Sequence, residues 1–458
     1  MFRSLLIANR GEVAVRVARA ARELGVRAVG IASEADLGAS WTRKLDEVVC
    51  VGPASSRDSY LRVDRIVQAA KQTGCAAVHP GWGFLAENAV FAALCEQHGL
   101  TFIGPTPATM ERLGLKIPAK RAMAAAGLAG IPGSDGLLES VEEAREVAER
   151  VGYPVILKAD AGGGGRGMRR CEGSDELERA WSQAAAEAQA AFGNRALYLE
   201  RYLTGGRHIE VQVLGDGRGG ALHLGERECS IQRNHQKLIE ESPSPVLDVA
   251  QRRELGERAA AATAAIGYRG AGTVEFFRAP DGELFFMEMN ARLQVEHPVT
   301  EAITGVDLVK EQLRIAAGGR PSRSQAEVEF AGAAIECRIN AEDPARDFRP
   351  TPGKLEAFEL PADVGPGSVR VDTHLEAGDE VPPDYDSLIA KVIAHGETRE
   401  EAIETLLATL SAARIEGVST TIPLHLAVLD SDAFRAGEYD TASLPGWGVS
   451  EPASAQES

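Results

Sequence analysis

The chain has 458 residues, too many for one ordinary domain and enough for two or three. Hydrophobic residues make up 44% and aromatics only 5%, so cores can form but must be filled by aliphatic and alanine packing. The net charge of −18 argues against nucleic acid or an anionic membrane as main partner, since both need a basic face. A local basic pocket for a small anion is still allowed. Residues Met1–Ile7 carry too short an apolar run for a signal peptide, and Asn9, Arg10 and Glu12 follow at once. No window reaches the roughly 18 apolar residues of a membrane span. The six cysteines are scattered without a CxxC pair and read as reduced thiols of a cytoplasmic protein.

In chain order, the spacing predicts a strand over Ser4–Ala8, a helix over Gly11–Leu24 stopped by Gly25, and strands over Val26–Ala32 and Glu47–Val51. A helix over Leu61–Thr73 and strands over Cys75–His79 and Thr101–Ile103 follow. This βαβα rhythm implies a parallel, doubly wound sheet. The first turn, Ala8–Glu12, holds one glycine where a dinucleotide fingerprint needs three, so NAD binding is not supported. Gly104–Pro107 breaks the pattern. Met110–Gly127 reads as a helical bridge interrupted at Pro118. Ser140–Glu143 reads as a capping box opening a helix to Val151. Strand Pro154–Lys158, the glycine run Gly162–Gly165, strand Met168–Cys171, an alanine-rich helix over 175–192 and strand Leu197–Glu200 look like a small separate module. The remainder, to about Leu444, is larger and strand-rich. Ser450–Ser458 has the composition of a disordered tail.

The glycine run formally contains GxGxxG (Gly162, Gly164, Gly167), but strand-like Met168–Cys171 follows where a dinucleotide site needs a helix. No Gly-Lys-Ser/Thr follows for a Walker A loop. The run reads better as a mobile hairpin loop whose bare amides close over phosphates; a merely flexible hairpin is the plain alternative. Only nine of the 49 basic residues are lysines. Lys116, Lys158 and Lys237 sit where each could neutralise a small anion. The most informative feature is a hairpin whose turn is read at Asp281-Gly282. Pairing 280 with 283 brings Glu275 opposite Glu288. Like charges there destabilise the ladder unless something sits between them. A hard divalent cation is the natural guest, with Asn290 two residues on along the same face. Arg292, Gln294 and Glu296 alternate, so an extended stretch would aim a cation, an amide and a carboxylate at one face, forming an anion pocket with a base. Arg338 has no local motif meaning. His208, His235 and His297 lack metal-ligand spacing. Cys229 reads as a buried, inert thiol.

These residues together resemble biotin carboxylase, the ATP-grasp subunit of biotin-dependent carboxylases, from roughly Phe2 to Trp447. The motifs are Ile7–Glu12, His79–Phe84, the Lys158–Met168 loop, Glu288–Asn290, Arg292–Thr300, Glu336–Pro344 and Tyr385–Ser387. The resemblance implies an ATP-grasp fold of α/β and α+β class. Its parts would be a Rossmann-like domain (1–113), a helical linker (114–130), a mobile glycine-loop lid (131–203), a C-terminal mixed α/β domain (204–446) and a polar tail (447–458). It places Lys116, Lys158, Gly164, Gly165, Glu200, Arg201, Tyr202, Leu203, His208, Gln232 and His235 at nucleotide-contacting positions. Glu275, Glu288 and Asn290 fall at the Mg²⁺ or Mn²⁺ positions. Lys237, Arg292, Gln294 and the Val295 backbone match the bicarbonate pocket, Glu296 the general base, and Arg338 the residue stabilising the biotin enolate.

The implied reaction is ATP-dependent carboxylation of biotin on a carrier protein, with bicarbonate, through carboxyphosphate. It gives carboxybiotin, ADP and phosphate. The chain lacks an Ala-Met-Lys-Met-like motif, so the resemblance implies a separate biotin carboxyl carrier protein and carboxyltransferase as partners, and a homodimer. The final carboxyl acceptor is not readable. Trp82, Ala86, Asn234 and Ala291 depart from the commoner tyrosine, serine, arginine and threonine, and Asn234 lowers local positive charge. Two other readings are a carbamoyl-phosphate-type ATP-grasp ligase, which biotin would not stimulate, and a nucleotide-binding regulatory protein without catalysis. The intact acidic and basic residues argue against the second of these.

Overall fold

A computed structural model describes residues 1–160 and 167–448. The N-terminal alternation becomes five parallel strands: β1 (Ser4–Ile7), β2 (Arg27–Ser33), β3 (Glu47–Gly52), β4 (Ala77–His79) and β5 (Thr101–Phe102). Their order is β3-β2-β1-β4-β5. Helix α1 (Gly11–Glu23) follows β1. Strand order reverses between β1 and β4, so the segments leaving them meet at a topological switch point. There the Asn9 amide donates to the carbonyls of Pro80 and Trp82, both at 2.7 Å. Tyr385, from the far end of the chain, lies 4.0 Å under the Arg10 guanidinium.

The helical bridge breaks at extended Leu115, not at Pro118, giving helices Pro107–Gly114 and Lys116–Ala125. Pro118 sits in the first turn of the second helix, where a backbone N–H has no intrahelical acceptor to lose. The capping box at Ser140 is half formed. Ser140 Oγ accepts the Glu143 N–H at 3.2 Å, but the Glu143 carboxylate turns to the N–H of Glu139 at 2.8 Å. Strands β6 (Val155–Ala159), β7 (Met168–Cys171) and β8 (Leu197–Arg201) form a small antiparallel sheet. It has its own core, in which alanines 144, 148, 184 and 188 meet Val155, Leu157 and Leu199.

The largest sheet has eight strands. Across it run β13 (Leu284–Asn290), β12 (Arg269–Arg278), β9 (Arg207–Asp216), β10 (Ala221–Arg233), β11 (Gln236–Ser242), β14 (Ala333–Asn340), then Leu388–Gly396 and Ser368–Thr373. Every neighbouring pair is antiparallel. This sheet and the N-terminal one share a core, since Leu5, Val13 and Val17 join Leu214, Leu293, Leu308 and Leu313. At the β10–β11 hairpin Arg233 pairs with Gln236, which leaves Asn234 and His235 as its turn, at φ +50° and +65°. Two consecutive left-handed residues match the twist of the strands, and asparagine tolerates that conformation better than most side chains. Asn234 therefore has a backbone reason, whatever its effect on charge.

Candidate active site

The site is built on the β12–β13 hairpin. Its turn has three residues, Pro280–Gly282, rather than two. Ala279 N–H donates to Glu283 O at 2.8 Å, and Gly282 N–H to Ala279 O at 2.9 Å. Pro280 presets the turn's first φ, and Gly282 takes φ +93°. That turn offsets the register by one. An irregularity between Phe276–Phe286 and Glu275–Glu288 restores it, because Met287 is the extra residue on β13. Glu275 and Glu288 thus face each other as expected, by two compensating departures. On the other side Glu275 pairs with Glu210 of β9, and Glu210 with Arg227 of β10. One cross-strand row reads Arg227, Glu210, Glu275, Glu288.

Lys237 closes the space above this row. Its ammonium lies 2.7 Å from Glu210, 3.2 Å from Glu275 and 2.6 Å from Glu296. Burial works against its charge, but those three carboxylates raise its pKa well above the ordinary lysine value. Glu275 also contacts His208 at 3.0 Å, and accepts hydrogen bonds from Asn290 at 2.7 Å and Gln294 at 3.2 Å. Beneath it, fully buried Arg227 donates to Glu210, Gln212, Thr300 and Thr273. The buried Cys229 thiol lies beside Glu210 and Glu296, and burial pushes it well above its ordinary pKa.

Residues 291–296 are not a strand. The chain leaves β13 at Asn290, and Glu296 stands at the N-cap of helix His297–Thr304. The three alternating side chains still converge, because loop and helix start fold back over the sheet. Arg292 donates to Gln294 Oε1 at 2.7 Å and Asn290 Oδ1 at 3.1 Å, and it pairs with Glu87 at 3.0 Å. Glu296 is fully buried and shared between Lys237 and Arg338, the latter at 2.9 Å. Burial would raise its pKa, but Lys237, Arg338 and Arg227 hold it well below the carboxylate range. Arg338 also pairs with Glu240 through Nε at 2.6 Å.

The second half of the site faces the small sheet. Lys158 Nζ lies 2.6 Å and Lys120 Nζ 2.5 Å from the buried Glu200 carboxylate. Burial opposes ionisation, yet the two lysines bring Glu200 down to about 2. Lys116 Nζ contacts Glu288 at 2.5 Å. The Glu288 side chain is 42% exposed, so it remains accessible to a further ligand. Past Glu200, Arg201 and Tyr202 are tied by their N–H groups to Pro132 O and Pro154 O, both at 2.8 Å, and Leu203 ends that segment. Gln232 lies opposite Lys237 in the β10–β11 ladder and donates to Cys229 O at 3.4 Å, while His235 stands exposed at the hairpin tip. Gly164 and Gly165 lie outside the described residues.

Local reading missed Glu210, Lys120 and Glu240. Two had a signal. His208, Glu210 and Gln212 alternate along β9 on one face, and Lys120 lies one helical turn after Lys116. The acids at 275 and 288 with the Asn290 amide oxygen are hard-oxygen donors on one sheet face, a donor set that fits a divalent cation.

Three family descriptions match the chain: "Biotin carboxylase, N-terminal domain" over residues 1–110, "Carbamoyl-phosphate synthase L chain, ATP binding domain" over 116–322, and "Biotin carboxylase C-terminal domain" over 336–445. Biotin carboxylase 1 of Bacillus subtilis is 51% identical over 98% of this chain and 99% of its own length. The biotin carboxylase of Haemophilus influenzae is 50% identical over 95% of this chain and 97% of its own length. Among solved structures, a Campylobacter jejuni biotin carboxylase complex with β,γ-ATP superimposes with TM-score 0.93 at 44% identity, covering 96% of this chain and 98% of that one. The biotin carboxylase domain dimer of Hydrogenobacter thermophilus 2-oxoglutarate carboxylase, with MgADP, ADP and bicarbonate, gives 0.91 at 48% identity, covering 96% of each. The fold and site therefore define an ATP-grasp enzyme. The chain belongs to the biotin carboxylase family and is an ATP-dependent carboxylase, a ligase. No helix among the described residues is long and apolar enough to cross a membrane.

Proposed function

We propose that this chain carboxylates biotin borne on a carrier protein, consuming ATP and bicarbonate and releasing ADP and phosphate. The observation that carries the reading is the buried Glu296 carboxylate shared by Lys237 and Arg338. Glu296 takes the bicarbonate proton, and the freed oxygen attacks the γ-phosphorus with departure of ADP. The carboxyphosphate formed breaks down to CO₂ and phosphate. Phosphate removes the ureido N–H proton of biotin, Arg338 holds the resulting enolate, and the nitrogen bonds to CO₂. While both cations bear on it, Glu296 is a weak base. An anion drawing Lys237 and Arg338 toward itself raises its basicity as substrate arrives. Arg292, Gln294 and the Val295 backbone complete the bicarbonate pocket.

Lys116, Lys158, Glu200, Arg201, Tyr202, Leu203, His208, Gln232 and His235 take the nucleotide, and the family resemblance implies the same contact for Gly164 and Gly165. Glu275, Glu288 and Asn290 would hold Mg²⁺ or Mn²⁺. A bound cation neutralises phosphate charge. The division of labour follows the units 1–113, 114–130, 131–203 and 204–446, a reading supported by the separate core of the small sheet. The chain works in the cytoplasm as a homodimer beside a biotin carboxyl carrier protein and a carboxyltransferase.

Glu296→Gln should lower bicarbonate-dependent ATP cleavage by roughly 10²- to 10⁴-fold while the ATP dissociation constant stays within about twofold. An equal loss of ATP affinity would contradict the role. ATP cleavage by the wild-type chain that needs bicarbonate but never responds to free biotin would favour a carbamoyl-phosphate-type reaction instead.

A further inference from the structure

The helix that Glu296 caps is gripped by a set of largely buried charges, most of which have no part in the proposed reaction. At its centre is Lys391, on strand Leu388–Gly396, with no exposed surface. In the ladder Lys391 lies directly opposite Arg338 on one side and Asp372 on the other, so the three share one sheet face. Neighbouring cations of this row reach consecutive residues of the loop: Arg338 pairs with Glu296 at 2.9 Å, and Lys391 Nζ donates to the Val295 carbonyl at 3.0 Å.

An ammonium with no access to water persists only where opposite charge surrounds it. Asp372 is 4.0 Å away. The nearer carboxylate, at 3.1 Å, is buried Glu12 of α1, in the N-terminal domain. One helical turn on, Arg16 reaches Glu301 at 2.7 Å, and Arg370 holds the other oxygen of Glu301 at 2.7 Å. Glu301 sits on the same helix that Glu296 caps. A single buried face of α1 thus reaches this helix at two points, through Lys391 just before its start and through Arg16 at its middle.

We propose that Lys391 is a positioning residue, which fixes the Val295 carbonyl and so sets where the Glu296 carboxylate meets bicarbonate, with Glu12 as its charge partner from the N-terminal domain. The role deepens the proposed function and rests on it. Lys391 itself does not touch substrate. Its effect is geometric, and a shift of about 1 Å in a reacting group is enough to cost about 10²-fold in rate.

The test uses the full chain with Lys391→Met, which keeps the stem and removes the charge and the donor. Bicarbonate-dependent kcat should fall by about 10- to 100-fold and the bicarbonate KM should rise, while ADP affinity stays within about twofold. Amides of residues 295–301 should exchange hydrogen at least about tenfold faster, with β9 and β12 unchanged. Lys391→Arg, which keeps charge and donor, should recover part of the rate. If Lys391→Met does not fold, the Glu12→Gln/Lys391→Met double variant, which removes both buried charges, carries the same measurements. Wild-type kinetics in the folded variant would overturn the proposal. So would a loss of ADP affinity matching the loss of rate, or faster exchange throughout the sheet, since both mark general loosening. A wild-type chain without bicarbonate-dependent cleavage would sink the proposed function instead, and the exchange pattern would still decide the role of Lys391.

Discussion

The two halves of the site use the same groups in opposite proportion. On the large sheet one ammonium, Lys237, faces three carboxylates: Glu210, Glu275 and Glu296. Toward the small sheet one carboxylate, Glu200, faces two ammonium groups, Lys120 and Lys158. Arg227 and Arg338 balance the two excess carboxylates of that cluster, and Glu288 beyond it is half open to water. The half-open Glu288 beside Glu275 therefore offers a cation its place on the large-sheet side, whereas the small-sheet side suits an anion such as a phosphate chain. A nucleotide–metal complex carries both, so one ligand can satisfy the two halves together.

Breaking the acidic half should have the larger effect. Lys237→Met leaves three buried carboxylates without their shared cation, and should lower unfolding free energy by about 3–5 kcal/mol, read from urea denaturation. An unchanged midpoint would mean that these acids carry no charge, and the contrast between the halves would disappear. Glu200→Gln probes the other half and should cost less. The wild-type carboxyl sits at about 2 against an ordinary value near 4.5, and a difference of about 2.5 units corresponds to about 3 kcal/mol. The folded pKa is depressed, so this stability is fully present above about pH 4.5 and is lost as pH falls toward 2. Glu200→Gln should be less stable at neutral pH and should lack that acid-limb slope. An identical slope in both proteins would remove Glu200 as its source. The smallest effect should come from Asn234→Arg at the β10–β11 turn. An added cation near Lys237 leaves the carboxylate contacts in place, but a longer side chain at φ +50° should cost about 1 kcal/mol, measured by thermal unfolding. A gain in stability would show that charge outweighs backbone conformation at that tip.

Much of the frame was readable from local pattern. The five parallel strands follow apolar runs punctuated by glycines, and each appears with its ends within one or two residues of the expected bounds. The Glu275–Glu288 pairing was also readable, although Pro280 lengthened the turn and Met287 absorbed the error. Where local reading erred, a longer-range fit won. Pro118 proved harmless because the helix restarted at Lys116, and Arg292–Glu296 converged through a loop and a helix cap rather than along a strand.

The sequence by itself determined which segments become strands and helices, the acidic hairpin, and the family to which the chain belongs. Those properties depend on neighbours a few residues apart, where turn chemistry and side-chain alternation act. Only the tertiary structure decided which charges meet. Lys237 finds Glu296 across 59 positions, Lys391 finds Val295 across 96, and Arg338 finds Glu240 across 98. No local pattern encodes such partners. Burial in the fold then removes the water that would screen them, which is what moves the pKa values of Glu200 and Glu296 away from those of the free side chains.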